Sequence, residues 1–200
     1  MVVSIVATGF NPEADFCYIP DFLPTRTANR LLERLWAGLQ WAQRDITLFG
    51  RSIPQPRLTS WYGDPDAYYS YSGLYLHPLP WHPDLLELRS KLQGRLRHGF
   101  NSVLANAYRD GHDSMGWHAD DEKELGLKPL IASLSLGESR RFLLRKKLEK
   151  NTQSVGLQLE HGSLLVMQGD SQSCYMHSLP KTRKRAGLRI NLTFRQVFRL

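Results

Sequence analysis

Two histidines and one aspartate have the residue types and spacing of a metal site. His118-Ala119-Asp120 is an H-x-D triplet, and in an extended chain its two outer side chains project to the same side. His177 follows in a later, strand-rich region. Two histidines and one carboxylate form a facial triad that suits non-haem Fe(II) and leaves three positions open. The set of three predicts an iron site, whereas H-x-D alone is a weak signal that more often has a structural role.

One candidate strand late in the chain alternates strictly between polar and apolar residues. Arg189, Asn191, Thr193 and Arg195 fall on one face, and Ile190, Leu192 and Phe194 fall on the other. The apolar face predicts burial, so each buried guanidinium needs an anion or a hydrogen-bond acceptor. Because an arginine fork binds carboxylate with two hydrogen bonds, the pattern indicates an acidic ligand or buried carboxylates. Asn106 and Tyr108 share a face of another predicted strand and offer further donors, although an ordinary half-polar strand has the same pattern.

The elements around these residues are predicted to be helices first and short strands afterwards. Leucines at helical spacing indicate helices at Thr25–Leu39, with Thr25 or Thr27 as the cap, and at Pro83–Leu96. Apolar segments between glycine turns indicate strands at Val103–Tyr108, Ile131–Leu136, Phe142–Lys146, Val155–Leu159, Leu164–Met167 and Leu188–Phe198. This order predicts an α+β fold with a closed or double-sheet β core, such as a jelly roll, that would hide the strand edges.

Composition and charge narrow the class of protein. The 200 residues are 42% hydrophobic and contain two cysteines, which suits a globular protein in a reducing compartment. No apolar run approaches the roughly 18 residues of a membrane helix, and no basic leader precedes the first apolar stretch. We therefore expect a protein that is not secreted: cytoplasmic, and nucleoid-associated in a bacterium, or nuclear in a eukaryote.

The basic residues are concentrated in the last third of the chain. From Ser139 onward, 13 Lys and Arg stand against 3 Asp and Glu, whereas residues 1–138 contain 13 against 16. The overall net charge is +7. This asymmetry favours a polyanion such as nucleic acid as the partner, the alternative being a solvated basic surface.

Five stretches in the second half of the chain have a distinctive order and spacing. They are Val103-Leu-Ala-Asn-Ala-Tyr108, Gly116-Trp-His-Ala-Asp-Asp-Glu122, His161-Gly-Ser-Leu-Leu-Val-Met167, His177-Ser-Leu-Pro180 and Arg189-Ile-Asn-Leu-Thr-Phe-Arg195. Together they resemble the AlkB family of Fe(II)- and 2-oxoglutarate-dependent nucleic-acid dealkylases, nearest its duplex-DNA repair branch. The resemblance implies a double-stranded β-helix (jelly-roll) core with N-terminal helices and a nucleotide-recognition lid. Trp117, a large residue before the first histidine, is a visible departure.

The resemblance implies roles for the polar residues of these stretches. Fe(II) would be bound by His118, Asp120 and His177, and 2-oxoglutarate by Asn106, Tyr108, Arg189, Asn191 and Arg195, with one arginine on the distal carboxylate. With O2 as the other co-substrate, the family reaction removes alkyl groups oxidatively from bases such as N1-methyladenine and N3-methylcytosine in DNA. Its products are formaldehyde, succinate and CO2.

Residues that contact the damaged base are also suggested by the resemblance. Asp121 and Glu122 follow the second iron ligand, and a carboxylate there would favour a cationic methylated base. An acidic loop without such a role has the same composition.

Two segments in the first half resemble parts of the family's lid. Tyr69-Ser70-Tyr71 is similar to the base-pocket strand, with Tyr71 stacking on the flipped base opposite His118. Leu48-Phe49-Gly50-Arg51 resembles the hairpin that the duplex-DNA branch inserts where the base has left. Phe49 would be its apolar wedge, or alternatively a buried loop residue.

The expected organisation is a single domain over residues 1–200, with helices and lid in about 1–100 and the dioxygenase core in about 101–200.

Two alternative functions stay open. The first keeps the iron chemistry but has RNA, a protein or a small molecule as the substrate. The basic last third of the chain argues against a small molecule. The second is a basic nucleic-acid-binding domain without activity. Nothing in the sequence indicates an obligate protein partner or a membrane association.

Overall fold

The computed structural model describes residues 5–6, 15–48, 51–71, 74–148 and 153–199, and for residues 5–6, 47–48, 69–71 and 74–76 the backbone alone. Three α-helices are found in these ranges: α1 (Thr25–Gly38), α2 (Pro83–Leu96) and the short α3 (Ser171–Cys174). A 3₁₀ turn spans Lys123–Leu125. Within the described ranges, no helix is both long and apolar enough to span a bilayer.

Two sheets form the β core. The larger has the order β1 (Ile5–Val6), β2 (Phe16–Ile19), β13 (Leu164–Met167), β10 (Ile131–Gly137), β15 (Arg189–Arg195), β8 (Ser102–Tyr108) and β5 (Leu58–Gly63). The smaller has the order β12 (Val155–Leu159), β11 (Arg140–Lys146), β14 (Tyr175–Leu179) and β9 (Met115–His118). Neighbours are antiparallel except β1 and β2, which are parallel. The predicted α+β fold with a jelly-roll core is confirmed.

Two small hairpins lie outside these sheets. One joins β3 (Asp45–Leu48) to β4 (Arg51–Pro54), and the other joins β6 (Tyr69–Tyr71) to β7 (Leu74–Leu76). Both pair antiparallel, as expected for strands linked by a short connection.

The larger sheet has an apolar layer on each face. Its outer face packs against α1 and α2 through Ile190, Leu192 and Phe194 of β15. Its inner face meets the smaller sheet through a second cluster that includes Tyr108 and Phe142. Side chains alternate along a strand. Because the apolar residues of β15 point outward to the helices, its polar residues point into the space between the two sheets. All seven residues of β15 are buried, as the alternation predicts.

The helices form where the leucine spacing predicts them. The predicted helix over Pro83–Leu96 is confirmed; it has proline in its first turn, and the N–H of Asp84 donates to Nδ1 of His82. The predicted threonine cap of α1 is wrong: the carbonyl of Pro24 accepts the N–H groups of Thr27 and Ala28, and no side chain caps the helix. Proline suits this position because its own φ of −56° is already set by the ring.

Some strands begin or end at other residues than the sequence predicts, and one of them ends where other hydrogen bonds replace those of the ladder. The predicted strand Leu188–Phe198 leaves the ladder after Arg195, because the N–H of Val197 donates to Asn101 and that of Phe198 to the Glu124 carbonyl. The strand predicted at Phe142 begins two residues earlier, at Arg140. Several strands were not predicted, including β2, β5, β9 and β14, and most of these are too short for alternation to be detected.

Candidate metal centre and co-substrate pocket

The three metal-ligand candidates meet between two neighbouring strands. His118 ends β9, and its Cα partner in the ladder is His177 of β14, so their rings lie 4.2 Å apart between centroids. Asp120 follows β9 by two residues. Its Oδ1 lies 3.7 Å from Nε2 of His118. One ligand atom from each of the three residues lies within 4.8 Å of the other two, an arrangement that could hold a metal ion.

The histidines have the protonation state that a metal needs. Nδ1 of His118 lies 2.9 Å from the carbonyl oxygen of Gly116, which can only accept, so Nδ1 donates and Nε2 is left as the ligand atom. Burial lowers the pKa of His118. Burial, together with the charge of His118, lowers the pKa of His177 to about 3. Both imidazoles are therefore neutral near pH 7, the form that binds metal.

The carboxylate of Asp120 is held on its other side by an arginine. Oδ2 accepts a hydrogen bond of 2.8 Å from Nη2 of Arg195, and both side chains are almost fully buried. Burial alone would raise the pKa of Asp120, but Arg195 and the two histidines lower it well below its usual range. The backbone N–H of Asp120 donates to Gln172 in α3 at 2.9 Å. The carboxylate is thus ionised and oriented before any metal binds.

A narrow pocket between the sheets extends from this metal centre and has a cavity volume of about 40 Å³. All eight predicted metal and co-substrate residues line it: Asn106, Tyr108, His118, Asp120, His177, Arg189, Asn191 and Arg195. The remaining wall is mainly apolar, with Leu104, Met115 and Phe142 among its residues.

The end of the pocket marked by Arg189 is suited to a carboxylate. Arg189 pairs with Tyr108 across the ladder, six residues before Arg195, which contacts the metal-ligand candidate Asp120. Nη2 of Arg189 donates to Ser135, whereas its buried Nε has no hydrogen-bond partner among the described residues. Burial lowers the pKa of Arg189 to about 10, so the group still carries its charge near pH 7. A buried cation with a donor to spare fits an anionic ligand.

The two asparagines of the pocket are oriented by neighbours. Asn191 donates through Nδ2 to Ser133 at 2.8 Å and to the Leu134 carbonyl at 3.1 Å. Asn106 accepts at Oδ1 from Nε of the buried Arg57 at 2.9 Å, which leaves its NH₂ group available as a donor.

Arg57, Ser133 and Gln172 were missed by sequence reasoning. Their contacts to the site residues come from distant parts of the chain; Arg57 and Asn106, for example, are 49 residues apart. Gln172 lies in a four-residue helix that has no sequence signal. Only the alternation Ser133-Leu-Ser135 in a predicted strand offered a signal, since it places both hydroxyls on one face.

The acidic pair next to the metal centre has a basic neighbour. Asp121 is exposed and accepts from Lys147 at 2.6 Å. Glu122 precedes the 3₁₀ turn and its carbonyl accepts the Leu125 N–H. Trp117 stacks under the guanidinium of Arg145, 4.2 Å from the ring centroid. The large residue before His118 therefore packs on a face of its own sheet, against a side chain of β11.

The predicted lid residues are described only in part. Phe49 and Gly50 lie outside the described residues. Arg51 is exposed on β4. Tyr69, Ser70 and Tyr71 form β6, of which the backbone alone is described. Their contacts with a base stay predictions.

Basic residues from two segments of the last third of the chain line one surface groove, which we call the basic groove. It is lined on one side by Arg140 and Arg141 of β11, and on the other by Lys181, Lys184 and Arg185, and has a volume of about 460 Å³. Glu138 is the acidic residue on its wall. A groove with this charge suits a phosphate backbone.

Comparison with known proteins gives consistent matches. Residues 15–195 match the family model described as "2OG-Fe(II) oxygenase superfamily". The chain is 43% identical over 190 residues to "Alpha-ketoglutarate-dependent dioxygenase alkB homolog 3" of Rattus norvegicus, covering 91% of this chain and 64% of the relative. It is 36% identical over 209 residues to "DNA oxidative demethylase ALKBH2" of Arabidopsis thaliana, covering 92% and 67%. The chain thus spans about two thirds of the length of these relatives.

The fold has a solved counterpart. The structure described as "The structure of OsALKBH1" superposes with a TM-score of 0.67 and 18% identity, covering 94% of this chain and all of that one. At this identity the likeness concerns the fold, and it agrees with the two-sheet core.

Proposed function

Because the chain belongs to the AlkB family within the 2OG-Fe(II) oxygenase superfamily, we propose that it demethylates N-alkylated bases of nucleic acid oxidatively, with DNA as the substrate. The bases concerned are cationic lesions such as N1-methyladenine and N3-methylcytosine. Fe(II), 2-oxoglutarate and O2 are the cofactor and co-substrates, and formaldehyde, succinate and CO2 are the products.

One observation carries this proposal. A His-Asp-His cluster and a buried arginine with a donor to spare line the same pocket, and this arginine, Arg189, lies six residues along β15 from Arg195, which contacts the aspartate of the cluster. A keto diacid has two anionic ends, and this pocket offers a metal position for one and a cation for the other.

The positions of the pocket residues indicate which role each would have. His118, Asp120 and His177 would hold the iron, which supplies the oxidising power of the reaction when it is bound. Arg189 would bind the distal carboxylate, because it lies farther along β15 from Asp120 than Arg195 does. Arg195 would keep the Asp120 carboxylate in place while Asn106 and Tyr108 donate to the bound diacid. Asn191, whose NH₂ group already donates to Ser133 and to the Leu134 carbonyl, would lie alongside it.

Charge supports nucleic acid as the substrate. The basic groove presents at least four cations on one surface, and Asp121 stands one residue from the metal centre where a cationic base would be attracted. The Arabidopsis relative is named a DNA oxidative demethylase, which supports DNA.

The test uses the iron-loaded protein with 2-oxoglutarate, air and matched DNA and RNA oligonucleotides, each carrying one N1-methyladenine. The expected result is that the DNA product loses the mass of one methylene, and that this loss depends on both iron and 2-oxoglutarate. Asp120→Ala serves as the inactive control. Faster repair of the RNA would keep the chemistry and replace the substrate. Succinate release with both oligonucleotides unchanged would overturn nucleic-acid demethylation.

A further inference from the structure

Arg140 is a buried arginine whose hydrogen bonds, within the described part of the chain, all go to backbone. It begins β11 in the smaller sheet and is 3% exposed. Nη1 donates to the carbonyl of Asp110 at 2.9 Å, and Nη2 donates to the carbonyls of Asp113 at 2.9 Å and Pro180 at 2.8 Å. A lysine could not reproduce this fork, because three acceptors in these directions need two separate nitrogens.

The three carbonyls belong to the two segments that bring the metal ligands together. Asp110 and Asp113 lie in the loop between β8 and β9, which leads to His118. Pro180 directly follows β14, which carries His177. The same two segments also bond directly, since the N–H of Thr182 donates to the Gly111 carbonyl at 2.9 Å. One guanidinium thus joins the two segments that flank the metal-ligand strands.

Arg140 lines the basic groove and also lies next to Tyr108, a residue that lines the co-substrate pocket. Its guanidinium carbon is 6.0 Å from the centroid of the Tyr108 ring, and that of Arg189 is 5.3 Å from the same centroid. Two buried cations therefore share one aromatic neighbour. The carboxylate of Asp113 accepts hydrogen bonds from Arg109, but its charge, together with those of Asp110 and Glu138, also acts on Arg140.

A buried cation costs free energy, and for Arg140 the charges of Asp110, Asp113 and Glu138 offset part of that cost without a hydrogen bond from a carboxylate. That cost falls if a dianion binds in the pocket, because the attraction acts through a medium of low dielectric constant. The position of Arg140 therefore favours a doubly charged ligand in the pocket, even though the side chain faces backbone carbonyls.

We propose that Arg140 is a positioning residue for 2-oxoglutarate: its fork keeps the two metal-ligand segments and the Tyr108 ring in the arrangement that binds the diacid, and its charge attracts that diacid. This inference rests on the proposed function and assigns a role to a residue outside the eight already named.

The experiment measures 2-oxoglutarate binding by calorimetry with Mn(II) in place of iron, so that no turnover is needed. The variants are Arg140→Lys and Arg140→Gln, and the control is Arg30→Gln, which removes an exposed charge on α1, away from the pocket and the basic groove. We expect Arg140→Gln to weaken 2-oxoglutarate binding by about 10-fold, because it removes a buried charge next to Tyr108 and leaves backbone carbonyls without their donor. The 2-oxoglutarate affinity of Arg140→Lys should lie between that of Arg140→Gln and that of the unaltered protein. The control should bind 2-oxoglutarate as tightly as the unaltered protein.

The outcomes separate the two proposals. If the unaltered protein binds no 2-oxoglutarate, the proposed function fails. If it binds and folded Arg140→Gln binds equally well, Arg140 is structural and the inference fails alone. Titrations are made below the unfolding temperature of each variant, so that a stability loss does not count as weaker binding.

A measurement on the unaltered protein covers the case in which neither variant folds. Amide hydrogen exchange is followed with Mn(II), before and after 2-oxoglutarate is added. We expect slower exchange at residues 110–114 and at Thr182, because the diacid would tighten the segments that Arg140 joins. Unchanged exchange in these segments, with slower exchange at His118 and His177, would overturn the inference.

Discussion

The two oxygens of Asp120 contact different partners. Oδ1 faces His118 at the metal position, while Oδ2 accepts the hydrogen bond of the buried Arg195. The same carboxylate would thus serve as a metal ligand, and it is the counter-charge of an arginine in the core. Its loss should affect metal binding and folding together, which is unusual for a ligand residue.

For Asp120→Ala we expect no Mn(II) binding and a free energy of unfolding lower by about 3–5 kcal/mol, because Arg195 stays buried without this carboxylate. Urea unfolding of the metal-free protein measures the second effect apart from the first. Asp121→Ala is the matched control: its ion pair with Lys147 is partly exposed, and such pairs contribute about 0–1 kcal/mol. Equal losses in the two variants would contradict the role given to Arg195.

Lys147 and a cationic base would compete for the same carboxylate. Lys147→Gln frees Asp121, so we expect the ratio of repair rates for N1-methyladenine over a neutral N-alkylated base to rise by up to about five-fold, the equivalent of a surface ion pair. Kinetics on both oligonucleotides measure this ratio. Lys146→Gln removes a charge from the preceding residue and should leave the ratio unchanged; a similar rise there would mean that only overall charge matters.

Single residues of the site were predictable where their own type carries the chemistry. His118, Asp120 and His177 have a recognisable composition and spacing, and Arg189 and Arg195 stand on an alternating strand. The residues that orient them have no such signal. Gln172 contacts Asp120 from 52 residues away, and side-chain packing alone selects it.

At the scale of elements, β15 separates the apolar layer from the pocket. Leu192→Ala removes a fully buried side chain from the layer against the helices, and we expect a loss of about 2–5 kcal/mol in the free energy of unfolding. Thermal or urea unfolding measures it. Phe198→Ala, at a half-exposed position beyond the strand, should cost clearly less. The reverse order would contradict the assignment of faces.

Elements were predicted well when they were long or strictly patterned. Both ends of the second helix were predicted to the residue. All seven residues of the predicted alternating segment in β15 pair with β8. The metal-ligand strands β9 and β14 have four and five residues, and neither has a clear period. Their pairing depends on contacts between distant segments, which local pattern does not specify.

For the whole molecule, the uneven charge predicts strongly salt-dependent binding of nucleic acid. Replacing Lys181, Lys184 and Arg185 with glutamine should reduce the slope of log affinity against log salt by up to about three units, one for each phosphate that is no longer neutralised. Binding titrations at several salt concentrations give the slope. The control replaces Arg26, Arg30 and Lys91, exposed on the two long helices, and should keep the original slope. Equal changes would mean that net charge alone drives binding.

The place of β15 in the larger sheet has a consequence for biosynthesis. This strand follows all the other described strands in the sequence, yet it lies in the interior of the sheet, between β10 and β8. A nascent chain that has not yet reached β15 would already contain His118, Asp120 and His177, but not Arg195 or the strand that joins the two halves of the sheet. Metal uptake should therefore wait until β15 has emerged and paired, and until then two open strand edges would be exposed to chaperones and to other chains.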